Sequence, residues 1–169
     1  MLYSTEYAKL NKKLHETNDS YGTSGKKYLI PITMLSDSFD TKDILDYGCG
    51  KRTLEKALGF EINNYDPAIE GFEKIPEPSD IVVCTDVLEH IEPECLDDLL
   101  DDLKRCVKKV GFFIVATRPA QKILEDGRNA HLIQNDFDWW LPKFESRFKI
   151  DFVDGTDKAF AIIVLPKEE

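Results

Sequence analysis

Positive charge is in short supply: 22 lysines and arginines stand against 32 aspartates and glutamates in 169 residues, for a formal charge of -10. A protein that grips a nucleic acid through its phosphates concentrates Lys and Arg on one face, and the acidic field of this chain opposes that attraction. Nucleic-acid partners are therefore disfavoured. Cysteine is sparse as well: Cys49, Cys84, Cys95 and Cys106 form no C-x-x-C pair and no zinc-ligand spacing. They read as free core thiols in a reducing cytoplasm, with Cys95 and Cys106, about three helical turns apart, on one buried stripe. No run approaches the roughly 18 apolar residues of a membrane span, and the amino terminus lacks the features of a signal peptide. A soluble, cytoplasmic protein without a membrane partner is expected. No repeat or low-complexity tract is visible. Hydrophobic residues make up 42%, enough for one substantial core at this length, so residues 1–169 are expected to form one domain.

Tyr3, Tyr7, Leu10 and Leu14 recur on one helical face, which predicts a short opening helix packed on the main body. The turn-forming run Asn18 to Gly25 predicts a loop. Tyr28 to Leu35 is apolar but contains Pro31, which would cost a central strand a ladder hydrogen bond; it reads as a helix with Pro31 near its first turn. Residues 1–40 are thus expected to be a helical cap and lid on a core spanning 41–169.

In the core, strands are predicted at 44–47, around 61–65, 80–85, 110–116, 148–153 and 159–165, the last two joined by the turn 154–157. A short helix over 53–58 ends at Gly59. A longer one runs from Glu94 to Lys109, where Asp97, Asp98, Asp101 and Asp102 precede Lys104, Arg105, Lys108 and Lys109, an order that complements the helix dipole. An aromatic helix is expected from Asp136 to Phe148, kinked at Pro142. Its stripe of Phe137, Trp140, Leu141, Phe144 and Phe148 should bury at least one Trp. Strands alternating with helices indicate an α/β fold, a mostly parallel sheet with helices on both faces and an antiparallel last strand inserted at one edge.

Open parallel sheets bind ligands at the carboxyl ends of their strands. The unusual residues gather there. Asp46, Gly48 and Gly50 follow the first strand, where glycine lets backbone approach a ligand and adopt conformations closed to other residues. Asp66 ends the second, placed to accept both hydroxyl hydrogens of a ribose. Asp86-Val87-Leu88-Glu89-His90 follows the third, where Glu89 and His90 can equally open the next helix.

Ile44-Leu45-Asp46-Tyr47-Gly48-Cys49-Gly50, together with DIVVCTDVLEH over Asp80 to His90, resembles the class I S-adenosylmethionine (SAM)-dependent methyltransferases, a Rossmann-like family, across residues 43–117. The resemblance implies SAM as cofactor and a small, single-domain enzyme. It implies that Asp46, Gly48, Cys49 and Gly50 surround the cofactor, Asp66 holds its ribose with Pro67 and Ala68 alongside, and Asp86 and Val87 face its methionine portion. Two departures stand out. Only thirteen residues separate Asp66 from Asp80, so the family's third strand is reduced or missing, and no acid for the adenine is identified near Glu73 or Glu77, leaving Ala68 and Ile69 to sandwich it. Lys51-Arg52 also replaces a small residue of the glycine loop, predicting a wider turn.

Methyl transfer from a sulfonium is a direct displacement that needs alignment and no metal, so no metal ligands are assigned. His131 is the candidate catalytic base, in a loop overhanging the site. Arg118 and Arg128 are candidates for binding an acidic acceptor, and the loop from Tyr21 to Gly25 for a lid that excludes water. The acceptor is expected to be a small molecule, because the appended segments are too short for a macromolecular platform. The sequence leaves oligomeric state open. A nicotinamide-dependent oxidoreductase is the alternative from the same architecture, weakened by the missing third glycine of G-x-G-x-x-G. A noncatalytic SAM-binding or regulatory subunit is the alternative from another class.

Overall fold

The computed structural model describes residues 1–167. Successive side chains of a strand point to opposite faces, and here both faces are apolar. In β1 (Ile44–Tyr47) and β3 (Ser79–Thr85), Ile44, Ile81 and Val83 enter one cluster, while Leu45, Tyr47, Val82 and Cys84 enter the other. Strand β4 (Val107–Ala116) alternates in the same way. With β2 (Asn63–Tyr65), β5 (Phe148–Gly155) and β6 (Ala159–Pro166) they form one sheet in the order β2-β1-β3-β4-β6-β5. The first four are mutually parallel, and β6 runs antiparallel to both β4 and β5.

Helices cover both faces. On one, α4 (Leu96–Cys106) buries the stripe Leu96, Leu99, Leu100, Leu103 and Cys106, beside Trp140 and Phe144 of α5 (Phe137–Glu145). Asp136 caps α5 by accepting from the Trp139 amide at 3.1 Å. Arg147, just beyond α5, donates to Asp101 at 2.6 Å and Asp97 at 3.0 Å of α4. The other face packs Ile32 of α2 (Leu29–Ser38) and Leu54 of α3 (Thr53–Leu58). Gly59 ends α3 in the left-handed conformation that glycine adopts without a Cβ penalty. All four cysteines are free and buried, with Cys95 and Cys106 in one cluster. No helix of the described residues is long and apolar enough to cross a membrane.

Three expectations are corrected. Helix α4 stops at Cys106, and Lys108 and Lys109 belong to β4, where Lys108 pairs with Asp43 and Lys109 with Asp80, each at 2.8 Å. Those carboxylates stand before β1 and at the start of β3, so the lysines make cross-strand rather than helix-dipole interactions. Phe148 opens β5 instead of closing α5. The final strand does not lie at the edge: β6, the more buried of the pair, sits inside, and β5, exposed along most of its length, takes the edge. The reduction on the other side is as expected. Residues 66–78 hold only turns and irregular chain, and β2 is the opposite edge.

α1 (Thr5–Thr17) is capped by the Ser4 hydroxyl, which accepts from the Tyr7 amide at 3.1 Å. Ser4 also donates from its amide and hydroxyl to Glu92, both at 2.8 Å, which fastens the helix beside the segment that follows β3. Tyr7 packs against Leu124 and Ala130. The opening helix and the long loop after β4 therefore meet over the carboxyl ends of the strands.

Candidate active site

The loop after β1 is shaped by its glycines. Gly48 and Gly50 have φ of 85° and 48°, in the left-handed region where a Cβ is strained. A Cβ on Gly48 would lie 2.3 Å from Val87 Cγ2, and one on Gly50 would lie 2.6 Å from the carbonyl oxygen of Gly22. The amides of Gly48 and Cys49 donate to Tyr65 O at 2.7 and 3.0 Å, locking the loop to β2. Arg52 is itself left-handed at φ 54°, so the turn keeps its path without the small residue. Its guanidinium lies over the Phe72 ring at 4.8 Å.

Asp66 completes the cradle. Its Oδ2 accepts from the Gly50 amide and its Oδ1 from the Ala68 amide, both at 2.9 Å. Each carboxylate oxygen keeps a further acceptor direction. Asp86 follows β3 at φ 56° and donates its amide to Ile114 O at 3.1 Å. A non-glycine residue held there is the kind of local strain that clusters at functional sites.

A cleft of about 550 Å³ opens over these strand ends, within the span typical of small-molecule sites. Asp46, Gly48, Cys49, Gly50, Asp66, Pro67, Ala68, Asp86, Val87 and His131 all line it. So does Arg118, whereas Arg128 lies outside and pairs with Asp126 at 2.6 Å. Glu73, Glu77 and Ile69 are not part of the wall, and the two glutamates are exposed. Loop 18–25 forms one side and is stapled to the glycine loop: the Lys51 amide donates to Gly22 O at 2.8 Å, Lys51 Nζ to Asn18 O at 3.0 Å and Thr53 Oγ1 to Thr23 O at 3.1 Å.

Sequence reading missed part of this wall. All three histidines of the chain, His15, His90 and His131, line the cleft. His131 was identified, but His90 and the adjacent Glu89 read equally well as the start of a helix. The available signal was a Glu-His pair directly after a buried strand in a chain with so few histidines. Tyr21 was also missed as a contact: its ring meets His15 and His90 edge-on at 4.6 and 5.8 Å, and its hydroxyl donates to Asn11 at 2.9 Å.

Burial suppresses charge throughout this wall. It lifts the Asp46 carboxyl to about 7, helped by Asp66 and Glu55, and the Glu89 carboxyl to about 8, helped by Asp86. It pushes His90 down to about 3, reinforced by His131, and it lowers His131 and His15. The Cys49 thiol is pushed up, first by burial and then by Asp66 and Asp46, which leaves it a poor nucleophile. The arrangement is suited to binding and aligning two ligands rather than to forming a covalent intermediate with the chain.

A protein-family model described as a methyltransferase domain matches residues 25–157. No curated protein matches the chain in sequence. Among solved structures, the magnesium protoporphyrin IX methyltransferase of Synechocystis PCC 6803, determined with bound SAM, superposes at a TM-score of 0.65 with 11% identity, covering 97% of this chain and 99% of that one. The 1,6-didemethyltoxoflavin-N1-methyltransferase of Burkholderia thailandensis, with bound 1,6-didemethyltoxoflavin and S-adenosylhomocysteine, gives 0.60 and 11%, covering 96% and 90%. At such identities these two establish the fold alone. The family match spans most of the chain and sets aside the oxidoreductase alternative: the protein belongs to the methyltransferase domain family.

Proposed function

We propose that the protein transfers a methyl group from SAM to a small-molecule acceptor, and that the whole chain works as one domain with residues 1–40 as its cap. The observation that carries this reading is the cradle of Gly48, Gly50 and Asp66 opening into one continuous cleft. The cradle fits the cofactor. A Cβ on Gly48 would collide with Val87 and one on Gly50 with the Gly22 backbone, so the loop keeps this shape only with glycine at both positions, and Asp66 retains acceptor directions for the two ribose hydroxyls after binding the Gly50 and Ala68 amides. Asp46 is buried at the cleft with no hydrogen bond from the described residues holding down its pKa, a carboxyl that a cation such as the ammonium of a methionine portion would hold ionised. Pro67 and Ala68 bound the nucleoside side; Cys49, Asp86 and Val87 bound the sulfonium side.

The bound cofactor supplies an electrophilic methyl carbon. The chain's part is to align an acceptor with it and exclude water, contributions that can carry much of the rate. Loop 18–25 acts as the lid, closed by its hydrogen bonds to Lys51 and Thr53. The acceptor enters from the side walled by Arg118, Lys122 and His131. A roofed cleft of about 550 Å³ and a net charge of -10 favour a small molecule over a nucleic acid.

Calorimetric titration with SAM, S-adenosylhomocysteine and NAD tests the reading. Both sulfur nucleosides are expected to bind and NAD is not; binding of NAD alone, or of none of the three to folded protein, overturns it. Turnover in an acceptor screen then distinguishes an enzyme from a noncatalytic SAM-binding subunit.

A further inference from the structure

We infer that Glu89, His90 and His131 form a binding site for one divalent transition-metal ion, with the two histidines on the acceptor wall of the cleft and Glu89 buried behind it. One potential ligand atom from each of the three lies within 4.8 Å of the others. Ligands at about 2.0–2.1 Å around a tetrahedral ion stand about 3.4 Å apart, so side-chain rotations that draw the three atoms together by about 1 Å or more close the set.

Three independent features point to an ion. First, both imidazoles are oriented by backbone. His90 Nδ1 lies 2.8 Å from Ala130 O and His131 Nδ1 lies 2.6 Å from Arg118 O. A carbonyl only accepts, so each Nδ1 carries the proton and each Nε2 keeps its lone pair. This is the outer hydrogen bond that metal-ligating histidines characteristically make. Second, Glu89 is 0% exposed, its Oε1 accepts from the Ala116 amide at 3.1 Å, and its Oε2 has no partner among the described residues. A buried carboxyl oxygen left without any partner is costly, protonated or ionised, unless something fills its place. Third, the rings meet edge to face with centroids 4.7 Å apart, and no described cation forms a salt bridge with Glu89. Among the charges that act on the cluster, the Asp86 carboxylate favours a cation, and the Arg118 and Lys122 side chains do not.

The donor set selects the ion. Two neutral imidazoles and one carboxylate suit zinc, cobalt, iron or manganese and leave coordination positions open toward the cleft; calcium and magnesium prefer oxygen. An acceptor that offers an oxygen, as a hydroxyl or a carboxylate, fits those positions. That acceptor class rests on the methyltransferase reading above, whereas the metal site does not. The site also gives His131 a different task from the base expected of it, since an Nε2 that ligates an ion has no lone pair left to take a proton.

The experiment uses untagged, chelator-treated full-length protein without SAM. Cobalt(II) titrated into it produces a visible absorption band that saturates at one equivalent, and zinc bleaches the band. His131→Gln and His90→Gln each weaken cobalt binding at least tenfold with circular dichroism unchanged, while His15→Gln, in the same cleft but outside the cluster, leaves it within twofold. Glu89 also anchors the Ala116 amide, so the histidine variants and the wild-type spectrum decide the question. No saturable band in folded wild-type protein overturns the proposal, as does binding that His131→Gln leaves intact or that His15→Gln weakens equally. Failure of SAM to bind in the separate calorimetric test would remove the methyltransferase reading and leave this result standing.

Discussion

At the β1–β2 end of the cleft the geometry is made by backbone. Gly48 and Gly50 sit at positive φ, the Gly48 and Cys49 amides lock onto Tyr65 O, and the Gly50 and Ala68 amides are held by one carboxylate, Asp66. At the β3–β4 end it is made by side chains drawn from distant parts of the chain, with His90 after β3, Arg118 and His131 on the loop after β4, and Glu89 buried behind the two histidines. The loop amides of the first end are paired within the protein, and only the Asp46 carboxyl is left there without a hydrogen bond among the described residues. The second end keeps a buried carboxylate oxygen and two imidazole nitrogens uncommitted. A rigid cradle suits a ligand that is always the same, and uncommitted side chains suit the partner that gives an enzyme its specificity.

The sharpest way to break this comparison is at Gly50. A side chain there meets Gly22 backbone at 2.6 Å and must hold φ at 48°, a strain of about 1–3 kcal/mol before any atom moves. Relieving that strain and clash displaces the cradle, so Gly50→Val should lower SAM affinity by up to about 150-fold, read by calorimetry on protein whose circular dichroism is unchanged. Affinity within threefold of wild type would mean that the backbone cradle does not bind the cofactor. Asp66→Ala comes next. It strands two amides, each costing about 1–3 kcal/mol when buried, and removes the ribose acceptors, so a loss of about 10- to 100-fold is expected together with a lower melting temperature. Asp66→Asn should keep part of the binding, because one amide oxygen still accepts.

A smaller effect follows from Asp46. Its carboxyl is lifted to about 7 by burial, then by Asp66 and Glu55, and an ammonium ligand binds only the ionised form. At pH 6 about one carboxyl in ten is ionised, so SAM affinity should rise about tenfold between pH 6 and 8. Asp46→Asn should flatten that rise. The stability of the free protein moves the other way. A carboxyl whose folded pKa exceeds its unfolded 3.8 holds its proton longer in the native state, so this group's contribution falls as pH climbs from about 4 to 7. Thermal melts of wild type and Asp46→Asn across that window separate it from Glu89, which shifts in the same direction.

The contrast between the two ends also explains what could be read from the sequence. Positive φ and close backbone approach leave glycine as the default choice, so Gly48, Gly50 and the strand before them are written locally; β1 and α3 begin and end where periodicity puts them. The misplaced ends of α4 and α5 share one cause. Val107 follows Leu103 by four residues and Phe148 follows Phe144 by four, so each continues a helical stripe, yet each opens the next strand while facing the same core cluster. Local pattern cannot distinguish the two, because the switch is made by pairing with Ser79 in one case and Pro166 in the other. The meeting of Glu89, His90 and His131 is equally nonlocal. It depends on main-chain hydrogen bonds along the loop after β4, from the Ile133 amide to Glu89 O and from the two histidines to Ala130 O and Arg118 O.

The smallest expected effect is the most discriminating. His131 faces the cleft from the side-chain end, and no hydrogen bond links it to the glycine loop or Asp66; its bonds run to Arg118, Asn129 and Gln134. His131→Gln should leave SAM affinity within about twofold, since substitutions at separated sites without shared partners act independently. The same variant is expected to lose cobalt binding, so one protein reports on both ends at once. If it instead weakened SAM as much as Asp66→Ala does, the loop after β4 would be part of the cofactor cradle. The division between a backbone-built cofactor end and a side-chain-built acceptor end would then have to be redrawn along the lid, where Tyr21 touches both His15 and His90.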